Sequence, residues 1–328
     1  MQAIPIEKCD YCCGSRVEAI DHSLKTWTPC HYCEESGIKE PLKLKNDGQL
    51  EIVFIGVGSA FAKRRRQTNF LIIKGDKHIM VDFGMTGPTA LWQTTRLAPT
   101  DIETILPTHS HADHVGGIEC IGLMNRYVGQ RFMKKPKTKI IITSEYQRIL
   151  WDQTLRGGME WNEDLENHGK GRKLGFTDFF EVIRPKWKQG SPRESFEVDY
   201  GDIRIELFRT NHIPEQSSKW DDAFLSFGLF IDGHVFISSD TQFDQELFDY
   251  YGIHQKEGTN QIMVDKSSVM FQDVQFFPGA VHAPLEKLKT LRADIKAKMY
   301  LMHYADSFDK QDITGFAGWA QEGVRYIF

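Results

Sequence analysis

Residues 108–117 read Thr-His-Ser-His-Ala-Asp-His-Val-Gly-Gly, and this run constrains the fold more than any other part of the chain. Imidazole nitrogen and carboxylate oxygen are the ligands that borderline cations such as zinc prefer. One helix face cannot bring this H-x-H-x-D-H pattern around a single ion. The run therefore predicts a strand-end loop with two half-sites, one at His109 and His111 and the other at Asp113 and His114. The alternative is a histidine-rich turn that satisfies its own hydrogen bonds.

Three single residues further along the chain are candidates to complete these half-sites. His212 follows the alternating apolar stretch 203–208, Asp240 follows the apolar run 234–239, and His303 ends the apolar run 299–302. A carboxylate at the end of a buried strand needs a partner to offset its desolvation. The alternatives are a capped or surface histidine at each strand end, and a helix cap for Asp240.

Together these residues resemble the signature of the metallo-β-lactamase superfamily, and Ile79–Gly84 is similar to the family's strand ending in Asp-x-Gly. The resemblance spans residues 50–305. It implies an α/β fold, an αββα sandwich of two mixed β-sheets flanked by helices. It also implies a ligand set: His109, His111 and His212 for one divalent ion, Asp113, His114 and His303 for a second, and Asp240 as the bridge.

Two divalent ions at such a site lower the pKa of a shared water and clamp an anionic oxygen of the substrate. Zinc is the predicted metal at both positions, with manganese or another divalent ion as the alternative. The ligand set does not specify which bond is cut, because this fold supports several hydrolytic reactions.

Two further stretches point to one branch of the superfamily. Ile237–Thr241 resembles the Tyr-Ser-Gly-Asp-Thr of the RNase Z and cyclic-nucleotide phosphodiesterase branch, and Val281–Leu288 resembles its His-Ser-Thr stretch. This branch includes phage and bacterial enzymes that degrade cyclic-nucleotide defence signals. The resemblance implies that His282 assists charge stabilisation or protonates the leaving group. Asp113 and His282 are thus the predicted catalytic residues, with an ordinary helix N-terminal position as the alternative for His282.

These features predict a dinuclear metal-dependent hydrolase, a phosphodiesterase that acts on a nucleotide-type substrate such as a cyclic nucleotide through a metal-bridging hydroxide. The alternatives are an RNase Z-like endonuclease acting on an RNA end, a thioester or lactone hydrolase, and a zinc-stabilised interaction protein. Ala283-Pro284 stands where the branch has Ser-Thr, and no Gly-Pro-rich arm of the kind that grips transfer RNA is present. Both departures favour a small substrate over transfer RNA.

The cysteines predict a second, smaller module. Cys9-x-x-Cys12 and Cys30-x-x-Cys33 have the spacing of a zinc ribbon, in which two knuckles grip one structural zinc ion. A segment this short cannot fold on its own apolar core, so metal binding would supply the folding energy. A disulfide framework is the alternative, and a reducing compartment disfavours it.

The charge balance disfavours a broad surface for long nucleic acid. The 328 residues include 40 Lys and Arg against 45 Asp and Glu, a net charge of −5 at pH 7, whereas proteins that neutralise many phosphates are ordinarily more basic. A small anionic substrate drawn to metal ions is compatible with this charge. The densest positive run is a set of candidate substrate-binding residues, with a solvated loop as the alternative: Lys63, Arg64, Arg65 and Arg66.

The pattern along the chain predicts a ribbon-like module over 1–40 and a catalytic domain over 48–328. An insertion is predicted at about 156–193, where the chain is polar and Gly-rich without clear periodicity. Loops of this length are commonly lids or interfaces, so a lid or a homodimer arm is the hypothesis, with His168 as a surface residue. No apolar run reaches a bilayer-spanning length and the N-terminus lacks a signal-peptide pattern, which predicts a cytoplasmic protein without a membrane partner.

Overall fold

Short runs of β-branched and aromatic residues between turn signals dominate the chain, and in the computed structural model these runs form strands. The structure describes residues 1–21, 26–164, 172–252, 267–279 and 281–328. The strands group into two large mixed sheets, as predicted, with a separate hairpin between the cysteine knuckles.

Within the described residues the first sheet has eight strands. In spatial order they are β1 (Gln2–Pro5), β18 (Val324–Ile327), β4 (Glu51–Gly56), β5 (Asn69–Lys74), β6 (Lys77–Val81), β7 (Thr104–Leu106), β8 (Thr138–Ile141) and β9 (Phe180–Ile183). Neighbours from β1 to β6 are antiparallel, and those from β6 to β9 are parallel.

The second sheet also has eight strands among the residues that the structure covers. In spatial order they are β10 (Lys186–Trp187), β11 (Ser195–Tyr200), β12 (Ile203–Arg209), β13 (Phe227–Ile231), β14 (Val235–Ile237), β15 (Val269–Asp273), β16 (Met299–Met302) and β17 (Gly318–Trp319). Neighbours from β10 to β14 are antiparallel, and those from β14 to β17 are parallel. The two sheets therefore repeat the same pairing pattern.

The sheets pack through a cluster of aromatic rings. Phe54 of β4 lies 5.0 Å from Phe271 of β15 between ring centroids, and Phe271 lies 5.2 Å from Tyr326 of β18. Tyr300 of β16 adds a 5.5 Å contact to Tyr326. Aromatic pairs at this spacing stabilise a core by about 0.5–1.5 kcal/mol each beyond their buried area.

Short helices connect the strands. The α-helices are α1 (Gly87–Thr95), α2 (Ala112–Val115), α3 (Ile118–Met124), α4 (Ser144–Leu150), α5 (Arg156–Met159), α6 (Phe176–Phe179), α7 (Gln245–Leu247), α8 (Leu285–Leu288) and α9 (Ala293–Lys296). Helices α3, α4 and α7 continue as π-helical turns over Asn125–Gln130, Trp151–Leu155 and Phe248–Gly252. Shorter 3₁₀ turns lie at Pro99–Asp101, Trp220–Asp222 and Phe308–Lys310. No helix in the described part of the chain has the length and apolarity needed to cross a bilayer.

The N-terminal segment is joined to the large domain at more than one point. Strand β1 pairs antiparallel with β18, with Gln2 opposite Ile327 and Pro5 opposite Val324. The knuckles flank a hairpin of β2 (Val17–Asp21) and β3 (Thr26–Pro29). The division into modules over 1–40 and 48–328 stays a prediction, and residues 2–5 lie in the first sheet rather than in the ribbon.

The segment predicted as an insertion contains regular elements that the sequence pattern did not reveal. Phe180–Ile183 is the edge strand β9, paired in parallel with β8, and Lys186–Trp187 pairs with β11. Part of 156–193 is therefore integral to the two sheets. Residues 165–171, which include His168, lie outside the described residues, so the lid or homodimer hypothesis stays a prediction.

Candidate metal centre

The candidate site lies where the carboxyl ends of strands from both sheets meet. In the first sheet, β6 is followed by Asp82, and β7 leads into the loop that carries His109. In the second sheet, β14 is followed by Asp240 and β16 by His303, while β12 runs into His212. Ligand sites in open α/β sheets commonly form at such strand ends.

The structure brings all seven predicted side chains together, with Asp240 at the centre. Its Oδ2 atom lies 3.3–3.8 Å from a ring nitrogen of each of five histidines: His109, His114, His212, His282 and His303. A carboxylate with this many imidazoles around it is positioned to bridge two cations. The assignment of these residues as ligands stays a prediction.

The two half-sites are separate groups around this carboxylate. In one group, His111 Nδ1 lies 3.0 Å from His109 Nε2 and 3.2 Å from His212 Nε2. In the other, Asp113 Oδ2 lies 3.4 Å from His114 Nε2 and 3.1 Å from His303 Nε2. In each group, completed by Asp240, the candidate ligand atoms lie within 4.8 Å of one another. This arrangement matches the two half-sites expected from the sequence.

Buried hydrogen bonds hold the histidine loop in place. Asp82 Oδ2 lies 2.7 Å from His114 Nδ1, which leaves Nε2 directed toward the site. The backbone N–H and the hydroxyl of Thr108 both donate to the same carboxylate, at 2.7 and 2.8 Å. A partner on the far nitrogen of a ligating histidine fixes the tautomer and the ring orientation. Asp82 is thus a positioning residue.

Strained backbone surrounds the site. Asp82, Ser239 and His303 have positive φ angles of 55°, 51° and 56°, a left-handed conformation that residues other than glycine seldom adopt. Gly84 permits a further close approach, because a Cβ atom there would lie 2.0 Å from the carbonyl oxygen of Asp113. The surrounding packing stabilises a conformation that brings the ligand atoms together.

Burial keeps several of these histidines neutral, which is the state that binds a cation. It lowers the pKa of His109 well below its ordinary value, lowers that of His111, and lowers that of His212 to about 4. His114 behaves differently: although burial opposes its charged form, Asp240 and the neighbouring carboxylates raise its pKa. In the protein without metal, a proton on His114 therefore occupies a position that a cation can take.

His282 has a buried carboxylate partner that sequence reasoning missed. Its Nδ1 atom lies 2.8 Å from Oδ2 of Asp273, which is fully buried at the end of β15. Burial opposes protonation of His282, yet Asp240 and Asp273 outweigh this effect and raise its pKa to about 9. The signal that could have identified Asp273 is the one used for Asp240, a carboxylate that ends an apolar strand.

The donor atoms fit divalent cations. Among the residues that the structure describes, His114 Nε2 is buried without a hydrogen-bond partner, and it lies 3.4 Å from Asp113 Oδ2 and 3.3 Å from Asp240 Oδ2. A buried imidazole nitrogen without a partner costs free energy unless an ion or water satisfies it. Neutral nitrogen and carboxylate oxygen in two adjacent groups are suitable ligands for borderline divalent ions.

The four knuckle cysteines also form a compact buried group. Cys9 Sγ lies 4.0 Å from Cys30 Sγ, and Cys12 Sγ lies 3.7 Å from Cys33 Sγ. All four are free thiols, so the disulfide alternative does not hold in this structure. Sulfurs that each lie about 2.3 Å from a tetrahedral zinc ion are about 3.8 Å apart, close to the observed spacing.

The basic run 63–66 is only partly directed toward the site. Arg64 pairs with Asp309 at 2.7 Å, and Arg66 pairs with Glu322 at 2.9 Å. The guanidinium of Arg65 lies over the ring of Phe308, 5.2 Å from its centroid. Lys63 lines a cavity beside the metal centre, whereas Arg64, Arg65 and Arg66 are not among the residues lining it. A role in substrate binding stays a prediction for all four.

Two cavities flank the cluster. One of about 530 Å³, here called the polar cavity, is lined by His109, His111 and His212, and its wall includes Glu145, Asp221 and Phe224. The other, of about 670 Å³ and here called the aromatic cavity, is lined by His282 and His303, and its wall includes Phe61, Phe276 and Phe277. A substrate at the metal centre can therefore extend to either side.

Comparison with known protein families gives a match over most of the chain. Residues 50–326 match the family model described as anti-Pycsar protein Apyc1. The chain is 31% identical over 284 residues to the anti-Pycsar protein Apyc1 of Bacillus phage BSP38, covering 84% of this chain and 98% of that protein. It is 32% identical over 279 residues to the protein of the same name from Paenibacillus harenae, covering 84% and 99%. The cysteine knuckles precede the matched range.

Solved structures show the same fold at low sequence identity. The metallo-β-lactamase fold protein YhfI from Bacillus subtilis has a TM-score of 0.59 and 14% identity, covering 85% of this chain and all of that one. The short form of human tRNase Z has a TM-score of 0.52 and 14% identity, covering 84% of this chain and 98% of that one. The predicted metallo-β-lactamase fold is confirmed, and this fold implies binding of divalent metal ions.

Proposed function

The chain belongs to the anti-Pycsar protein Apyc1 family, and from this membership we propose that it is a dinuclear metal-dependent phosphodiesterase that hydrolyses cyclic nucleotides. The observation that carries the proposal is the position of Asp240, whose Oδ2 atom lies between two groups of candidate ligand atoms. His282 stands beside those groups as a proton donor. A pair of cation positions next to a proton donor suits hydrolysis of a phosphodiester.

Because the nitrogen and oxygen donor atoms of the site suit zinc, we propose zinc as the resident metal. His109, His111 and His212 with Asp240 would hold one ion, and Asp113, His114 and His303 with Asp240 would hold the other. Three or more nitrogen and oxygen ligands per position suit zinc, and manganese is the alternative. When bound, such ions supply an activated water and neutralise the charge of the phosphate.

The chain's own residues then govern the protons and the geometry. In the reaction, the oxygen of a water molecule forms a bond to phosphorus, one ester bond to a ribose oxygen breaks, and that oxygen gains a proton. In the protein without metal, Asp240 and Asp273 raise the pKa of His282 to about 9 against the effect of burial. With ions bound, His282 holds a proton because the Asp273 carboxylate lies 2.8 Å from its Nδ1 atom and favours the charged ring. It donates this proton to the leaving oxygen, while Asp273 fixes the orientation of its ring. The product is a linear nucleoside monophosphate.

The decisive experiment is a substrate panel with purified protein of measured metal content. We expect turnover of 3′,5′-cyclic nucleotides to nucleoside monophosphates, measured by chromatography of the products. Bis(p-nitrophenyl) phosphate serves as a chromogenic diester control. A metal-replete sample that turns over neither the cyclic nucleotides nor this diester would contradict the proposal.

The same panel separates the other hydrolytic alternatives. A precursor transfer RNA tests the RNase Z-like endonuclease, and a thioester and a lactone test the remaining hydrolase classes. Each alternative predicts that its own substrate is preferred over cyclic nucleotides by a large factor in kcat/KM. The acidic charge balance favours a cyclic nucleotide over transfer RNA, because a surface that binds long nucleic acid needs many basic side chains.

We also propose that the cysteine group holds one structural zinc ion. Its four sulfurs are buried, and the backbone N–H of Gly37 donates to Cys33 Sγ at 3.3 Å. The knuckle segment contacts the large domain through Arg96, which pairs with Glu34 at 3.1 Å. A zinc ion there would stabilise the segment without taking part in the reaction.

We expect Cys30→Ser to remove one zinc equivalent per chain while the ions of the His/Asp site remain. The reason is that a four-thiolate site loses much of its affinity when one ligand is replaced. Metal analysis by mass spectrometry and a thermal melt would show the loss of one ion and a lower Tm. Cys13→Ser is the matched control, because Cys13 is exposed and lies outside the group. Unchanged zinc content in Cys30→Ser would contradict the structural site.

A further inference from the structure

The aromatic cavity has walls that the reaction itself does not require. Phe61 is 92% exposed and Phe277 is 58% exposed, and both lie on the wall beside His282. Large aromatic side chains left in solvent commonly mark a binding surface when they cluster at a concave site. A flat aromatic group is the kind of ligand that such side chains contact favourably.

Hydrogen bonds hold the Phe61 wall in place. The backbone N–H of Ser59 donates to the carbonyl of Tyr304 at 3.1 Å, and that of Lys63 donates to the Asp306 carboxylate at 2.9 Å, so the loop carrying Phe61 is fixed beside His303. These contacts restrict an exposed loop before any ligand binds, and such preorganisation lowers the entropic cost of binding.

A single side chain connects the second wall to the proton donor. Gln275 donates through Nε2 to the carbonyl of Phe277 at 2.9 Å and accepts from the backbone N–H of His282 at 3.3 Å. The Gln275 side chain therefore joins the Phe277 wall to the backbone of His282, beside the backbone hydrogen bond from Gln275 to Ala283. A ligand that contacts the wall is placed at a defined distance from the leaving oxygen.

We propose that the aromatic cavity binds the nucleobase of the cyclic nucleotide, with Phe61 and Phe277 as its stacking walls; this inference rests on the proposed function. The ribose oxygen that leaves must lie next to the proton donor, and His282 lines the aromatic cavity rather than the polar one. The base is attached to that same ribose, so it enters the cavity on this side. The polar cavity is lined by two carboxylates, Glu145 and Asp221, against the single cation Arg209, whereas Lys63 balances Asp306 in the aromatic cavity, so the charge balance favours an anionic substrate in the aromatic cavity.

The test compares a cyclic nucleotide with an abasic 3′,5′-cyclic ribose phosphate, which keeps the reacting ring but lacks the base. The quantity measured is the ratio of kcat/KM for the cyclic nucleotide to kcat/KM for the abasic compound. We expect Phe61→Ala to lower this ratio by about 5- to 150-fold, the range expected for loss of one aromatic stacking contact. Phe277→Ala should lower the ratio in the same direction.

Two matched variants make the test specific. Phe132→Ala removes an aromatic ring that is 71% exposed and lines neither cavity, so the ratio should keep its wild-type value. Phe224→Ala removes a ring that is 70% exposed on the wall of the polar cavity. A fall of the ratio in Phe224→Ala but not in Phe61→Ala would place the base in the polar cavity and overturn the inference.

The failure of this inference is distinguishable from failure of the proposed function. If the wild-type protein hydrolyses cyclic nucleotides and the ratio is unchanged in both Phe61→Ala and Phe277→Ala, the base site is wrong and the function stands. If the wild-type protein hydrolyses neither compound, the proposed function is wrong, and the inference fails with it.

Discussion

Replacing Asp240 with asparagine is expected to reduce kcat/KM for a cyclic nucleotide by more than about 10²–10³-fold, the cost of removing a single stabilising hydrogen-bond donor in other hydrolases. The reason for the larger effect is that one atom, Asp240 Oδ2, lies 3.3–3.7 Å from four imidazole rings of the two half-sites and 3.8 Å from that of His282. An amide of the same shape cannot offer the same negative charge to two cations.

The measurement pairs steady-state kinetics with metal analysis of the same samples. We expect Asp240→Asn to bind fewer than two ions at the His/Asp site while circular dichroism shows a native fold. Asp76→Asn is the matched control, because Asp76 is exposed and its carboxylate contacts only the side chain of Lys77 among the described ion pairs. Near-wild-type activity in Asp240→Asn with both ions bound would show that the carboxylate does not bridge them.

The second large effect is expected at His282. We expect His282→Ala to reduce kcat for a cyclic nucleotide by about 10²–10⁴-fold, the usual contribution of a positioned general acid. The leaving ribose oxygen is a strong base and needs a proton, and His282 holds one beside the Asp273 carboxylate. In the protein without metal, Asp240 and Asp273 raise the pKa of His282 to about 9 against the effect of burial.

A substrate with a weakly basic leaving group distinguishes this role from a structural one. p-Nitrophenolate leaves without protonation, so His282→Ala should cost less than about tenfold on bis(p-nitrophenyl) phosphate. His234→Ala is the control, since His234 lies in the turn before β14, away from the cluster. Equal losses on both substrates would mean that His282 acts through the metal centre and not as a proton donor. A thioester or lactone hydrolase would instead retain its activity in His282→Ala.

The fold and the positions of the site residues could be predicted because the informative residues stand at strand ends. His109, Asp240 and His303 each follow a short apolar run, and the carboxyl ends of parallel strands meet at one edge of a sheet. Their order along the chain, matched to the family resemblance, associated them with one site. Asp273 carries the same signal at the end of β15, and it escaped notice because the resemblance assigns it no role.

The ion pairs of the basic run 63–66 could not be predicted from the local sequence. Four consecutive basic residues suggest a surface that attracts an anionic substrate. The structure instead pairs Arg64 with Asp309 and Arg66 with Glu322, which lie 245 and 256 residues further along the chain. Contacts at such separations depend on how the two sheets pack, and no short-range pattern reveals them.

Strand β9, within the predicted insertion, could not be identified from the sequence for a similar reason. Strand β9 (Phe180–Ile183) is short and only partly buried, because it lies at the edge of the first sheet. Edge strands need not alternate clearly between apolar and polar residues, since one side has no neighbouring strand. Strand β9 is stabilised by its pairing with β8, and this pairing is not apparent from the local sequence.

The wide separation, along the chain, of candidate ligands within one half-site has a consequence for biosynthesis. Asp113 and His303 lie 190 residues apart, yet their side chains are 3.1 Å from each other in the folded protein. A ribosome needs roughly 10 to 40 seconds to add that many residues. Until His303 has been added, the histidine-rich loop lacks this partner, so we expect the site to bind its full set of metal ions only late in protein synthesis.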